Sequence, residues 1–155
     1  EFCTLHDDWL RNQHDDYAPL VRARMKQGYA FTAVEYLKAV QVRPRITKAF
    51  VGEIFGNADA LFLPVLRFPV PKIADVDVRD GPNMNEVLGS INHCTWPINY
   101  LGLPGLSVPA GFSKSGLPIG FQLVGRPFAE GALLRIASAY ERETVWPQQK
   151  PSLPG

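Results

Sequence analysis

Residues 116–127 read GLPIGFQLVGRP. Gly116 and Pro118 punctuate the entry, and Gly125-Arg126-Pro127 close it. Between them Ile119, Phe121, Leu123 and Val124 are apolar, with Gln122 the one polar side chain in the middle. A short apolar run bounded by turn residues has the pattern of a buried strand. Inside such a strand the Gln122 amide must be hydrogen-bonded. It is expected to brace a neighbouring loop or helix terminus and to do no chemistry. Arg126, just past the strand, is expected to be an ion-pair partner at a surface or interface, or to recognise a carboxylate.

Upstream of this strand, Gly105–Gly111 (GLSVPAG) reads as a second one. The four residues Ser113–Gly116 form a turn, so the two strands make a hairpin. Downstream, the stripe Ala132, Leu133, Ile136, Ala137 and Tyr140 predicts a helix over 128–143. Ala60–Val65 (ALFLPV) is a third apolar run between turn signals, again suited to a buried strand.

The first half is helical in pattern. Tyr17, Leu20, Val21 and Met25 predict a helix over 15–27, stopped by Gly28. Thr32-Ala-Val-Glu35 is a capping box opening a helix that runs to about Arg43. Pro44 is then a kink or a restart, and 45–55 continues at helical spacing. Residues 67–82 carry Pro69, Pro71 and Gly81-Pro82 and read as an irregular excursion. A short helix follows near 85–93. The chain begins Glu-Phe with no start signal, and its first element is expected several residues in, as at an internal starting point. Two or three buried strands with four or five helices make an α/β chain, and no internal repeat or domain boundary is legible.

The length, 155 residues, suits one domain and is enough to bury a core. The net charge of +1 gives no reason to expect nucleic acid or an anionic membrane as partner. The longest apolar stretch, 60–71, is broken by Arg67 and three prolines and cannot make a membrane helix. Two cysteines, Cys3 and Cys94, do not make a secreted disulfide framework and predict reduced thiols in a cytoplasmic protein.

Catalytic machinery is hard to find. Gly-x-Ser-x-Gly and Ser-x-x-Lys are absent, and there is no glycine-rich phosphate loop. Ser113-Lys114-Ser115 fits a solvated turn better than a dyad. His93 and Cys94 are adjacent in sequence, which does not set a thiolate against an imidazole. His6 and His14 lack a cysteine at ligand spacing. No metal, cofactor or catalytic residue is therefore assigned.

Several short motifs in order resemble the C-terminal portion of an amidase signature family enzyme. They are Asn99–Phe112 (NYLGLPGLSVPAGF), Gly116–Phe128 (GLPIGFQLVGRPF), Leu133-Leu134, and Ala139–Glu141 in a helix ending at Trp146. Gly28, Glu35-Tyr36 and Arg43, then Asp59–Pro64, fit as well. The resemblance implies helices layered on part of a mixed β-sheet. It also implies a parent amide hydrolase that uses a serine nucleophile, a second serine joined by a cis peptide, a lysine base and an oxyanion hole of backbone amides. All of these belong to a signature region lying before residue 1. Residues 1–155 are thus expected to be one C-terminal fragment, inactive alone, whose parent acts on a small-molecule amide.

The same likeness puts His93–Asn99 (HCTWPIN) on the substrate side. Asn92, Thr95, Trp96 and Asn99 are the candidate substrate-binding residues. Thr95 and Asn99 would hydrogen-bond substrate or brace a loop, and Trp96 would form an apolar wall or simply core. In the glutamine-using amidotransferases of the family an aspartate is expected near Asn92. The neutral asparagine argues against that branch. Two alternatives stand beside the amidase reading: a non-catalytic assembly module of the same fold, and an unrelated thiol hydrolase using Cys94. A severed sheet would leave an unpaired edge, so a homo-oligomer or edge-to-edge association is expected.

Overall fold

The computed structural model describes residues 1–79 and 81–149. Its contacts divide into two compact units, one of Glu1–Val42 with Lys72–Ser90, the other of Arg43–Pro71 with the chain from Ile91 onward.

The first unit is helical. Helices α1 (Phe2–Leu5) and α2 (Asp7–Asn12) occupy the stretch in which no start signal is legible. Neither has a side-chain cap, which is why the sequence hides them. Asp7 and Asp8 favour the α2 N-terminus, and Arg11 Nε donates to Asp7 at 2.8 Å. Helix α3 spans Pro19–Lys26, four residues later than the aspartates suggest. Asp15 and Asp16 sit in a 3₁₀ turn instead. Pro19 sets the boundary, because the residue before a proline is pushed out of the helical region. Ala18 accordingly lies at φ −53°, ψ 142°. Cys3, Leu10 and Met25 are buried together against Tyr17. Helices α5 (Ile73–Val76) and α6 (Met84–Ile91) complete the helical run here, with α5 a single turn inside the irregular excursion.

Helix α4 (Ala33–Ile54) opens on the expected capping box. The Glu35 amide donates to Thr32 Oγ1 at 3.2 Å, and the Thr32 amide donates to Glu35 Oε2 at 2.8 Å. The helix runs through Pro44 unbroken. Its far end is held by packing, since Phe50 and Val51 lie against the buried Phe55 cluster.

The second unit is layered. Strands β1 (Ala60–Pro64), β2 (Gly105–Phe112) and β3 (Pro118–Gly125) pair antiparallel in the order β1-β3-β2. The glutamine-bearing strand β3 is therefore central, and Phe121 to Gly125 are all buried. Alternation along β3 supplies both faces. Phe121 and Leu123 pack with Val108 on Leu133 and Ala137 of helix α8 (Glu130–Arg142). Val124 points the other way, into Phe55, Ile98, Leu101 and Leu103. Two of these residues belong to helix α7 (Trp96–Leu101), in a stretch that carries no helix signal of its own. Pro97 looks like a breaker but sits in the first turn, where proline is tolerated. Gly102, at φ 68°, ends α7 in the left-handed region; the Leu103 amide reaches Ile98 O at 3.3 Å. The hairpin forms as expected, with a bulge between Pro109 and Gly111. Among the described residues no helix is long and apolar enough to cross a membrane.

Candidate functional site

The site grows from the register of β3. Gln122 is opposite Leu63 on one side and Ser107 on the other. It is 6% exposed, the one buried polar residue among those described. Its Nε2 donates twice, to Pro64 O at 3.1 Å and to Cys94 O at 2.9 Å. The brace expected from the sequence is present, between the end of β1 and the turn before α7.

That turn is tightly folded. Asn92 O accepts from the Thr95 amide at 3.0 Å, from the Trp96 amide at 2.9 Å and from Thr95 Oγ1 at 3.3 Å. Thr95 stands at the N-cap of α7, yet its hydroxyl bonds back to Asn92 and not forward into the helix. This is local backbone bracing of the kind threonine favours.

Beside Gln122 lies a cavity of about 200 Å³. Thr95, Asn99, Ser107 and Gln122 line it with polar groups, and Val65 and Leu106 with apolar ones. None of its lining residues is ionisable. Such a cavity can bind and orient an uncharged polar group through hydroxyls and amides. It holds no general base, so proton transfer must come from elsewhere.

The structure thus brings Thr95 and Asn99 to one cavity. Asn92, half-buried in the turn, does not line it. Nor does Trp96, which is 43% exposed and belongs to neither core cluster of its unit. The plain core reading of Trp96 is therefore excluded. Ser107 joins the site unannounced. Its signal is the hairpin register, which sets a second polar residue beside Gln122 on one sheet face.

Arg126 needs a correction. Its Nη2 donates to Gly56 O at 2.7 Å and Ala58 O at 3.3 Å, and its guanidinium lies 5.1 Å from the centre of the Phe55 ring. It forms no ion pair among the described residues. It satisfies carbonyls just past the α4 C-terminus, where a cation is favoured. Ser113 and Ser115 are hydrogen-bonded to one another at 2.9 Å in an exposed turn, with Ser113 Oγ accepting the Leu117 amide. Cys3 and Cys94 are free thiols. Among the described residues no three histidine, cysteine or carboxylate side chains cluster as metal ligands.

A wider opening of about 960 Å³ lies in the first unit, lined by Cys3, Gly28, Phe31 and Tyr36 among others. Its two carboxylates are already engaged. Glu35 holds Thr32, whose amide and hydroxyl keep its carboxyl below the usual range, and Glu1 accepts from the Tyr36 hydroxyl. None of the candidate residues faces it.

Comparison with known proteins fixes the relationship. A family model described as Amidase matches residues 4–134. The chain belongs to the amidase family. This amidase chain is 40% identical over 113 residues to a fatty acid amide hydrolase of Medicago truncatula, covering 73% of this chain and 18% of that protein. It is 40% identical over 160 residues to a glutamyl-tRNA(Gln) amidotransferase of Chloroflexus aurantiacus, covering 97% of this chain and 30% of that protein. A solved amidase crystal structure matches with a TM-score of 0.73 at 29% identity, over 90% of this chain and 32% of that one. The amidase fold is thus shared, and the chain spans under a third of the length of these relatives.

Proposed function

We propose that this chain is the C-terminal part of an amide hydrolase and forms one wall of its acyl pocket. The carrying observation is the uncharged cavity of Thr95, Asn99, Ser107 and Gln122, built on the strands and helix that match the family. An uncharged amide needs donors and acceptors without net charge, and this cavity supplies both. Asn92 and Trp96 stand at its approach, on the turn and first residue of α7. The neutral Asn92 supports simple amide hydrolysis over amino-acid amidotransfer.

The chemistry belongs to a serine outside residues 1–155. Its oxygen attacks the amide carbonyl, ammonia or an amine leaves with a proton, and water then hydrolyses the ester. By itself this chain hydrolyses nothing. Two free thiols support a reducing, cytoplasmic setting. Ammonia release from a panel of primary amides by the natural protein tests the activity: saturable release is expected, and none from any amide overturns it. The second reading, a non-catalytic assembly module, is favoured by one observation. Phe62, on the open edge strand β1, is 68% exposed.

A further inference from the structure

We propose that Gln122 is a positioning residue for the substrate wall, setting the turn 92–95 against the end of β1. The inference rests on the amidase reading for its functional meaning, but its geometry stands independently. Both amide hydrogens of one side chain are committed, to Pro64 O at 3.1 Å and Cys94 O at 2.9 Å. These acceptors lie in segments far apart in sequence, and Gln122 itself sits on the central strand. The side chain therefore has one orientation, because a flipped amide would turn its oxygen onto two carbonyl oxygens. The bond to Cys94 falls inside the turn that Asn92 closes with three accepted hydrogen bonds. Thr95 follows at once, and Asn99 is one helical turn further along α7, so both cavity-lining residues inherit their place from it. Without the amide, two carbonyls would lose their donor within an apolar interior, a strong drive for the turn to move.

The reporter is Cys94 itself. It is half-buried and its own carbonyl is the one held, while Cys3 is buried in the other unit and serves as an internal control. Thiol labelling with a small disulfide reagent should be about tenfold faster at Cys94 in Gln122→Met and unchanged at Cys3. In amide turnover the same variant should raise KM with kcat nearly unchanged. A Cys94 labelling rate equal to wild type, in a variant whose Cys3 stays protected, would overturn the proposal. Should Gln122→Met fail to fold, the wild type decides. Its Gln122 side-chain NH₂ protons should exchange at least about a hundredfold more slowly than those of exposed Gln13, and equal rates overturn the proposal. Absence of any amide turnover removes the amidase reading alone, since labelling and exchange still test the brace.

Discussion

A glutamine in the centre of a buried strand is tolerable only when its amide is engaged, and Gln122 meets that demand with two carbonyls. The requirement is legible from the strand pattern alone. The identity of the acceptors is not, because Pro64 and Cys94 meet only after the chain has crossed over. Asn99 shows a different division of labour. Its side chain is exposed and lines the cavity, while its backbone carries the α7 hydrogen bonds. Asn99→Ala should therefore leave the unfolding midpoint within error and raise KM about three- to tenfold, with kcat held. Steady-state kinetics of the natural protein check it; an unchanged KM would leave Asn99 as mere surface. Arg126 departs from its sequence expectation for a physical reason. A cation past a strand end suggests a carboxylate, but unfilled carbonyls beyond a helix end compete for it equally well.

Elements are legible where the local chemistry is explicit. The capping box at Thr32 and Glu35 is such a case, and it carries a pH signature. The Thr32 amide and hydroxyl hold the folded-state carboxyl of Glu35 below its usual range. A depressed carboxylate contributes stability above its unfolded value and loses it as pH falls through the folded one. Unfolding by urea across acid pH should show a shallower loss for Glu35→Gln than for wild type, because glutamine keeps the box without titrating. The effect should be small, since the group is exposed and screened. Parallel acid limbs for the two proteins would contradict it. Elsewhere the local signal loses to context. Pro44 reads as a stop, yet α4 passes through it because its far end packs against the Phe55 cluster. Pro97 reads as a loop residue, yet it sits in the first turn of α7, which is pinned by Ile98 and Leu101. Helices α1 and α2 have no side-chain cap, so nothing in the sequence marks their starts.

At the scale of the whole molecule, surface apolarity is the leading feature. Val34, Leu37 and Val40 on α4 are each at least 47% exposed, and Phe62 is 68% exposed on a strand with one neighbour. Open strand edges and apolar faces associate. The isolated 155-residue chain should therefore show concentration-dependent self-association by sedimentation equilibrium, and a strictly monomeric species would contradict this. The α/β architecture is readable from three apolar runs and the helical stripe of 128–143, but the placing of β3 between β1 and β2 requires the register. The absence of a base around the cavity carries the same message as the absence of a nucleophile motif in the sequence: this part of the molecule binds and orients. The most direct test is to trap the acyl-enzyme of the natural protein and locate the adduct by peptide mass spectrometry. The adduct is predicted on a serine outside residues 1–155, with every peptide of this chain unmodified. An adduct on Cys94, or anywhere else within these residues, would contradict the account.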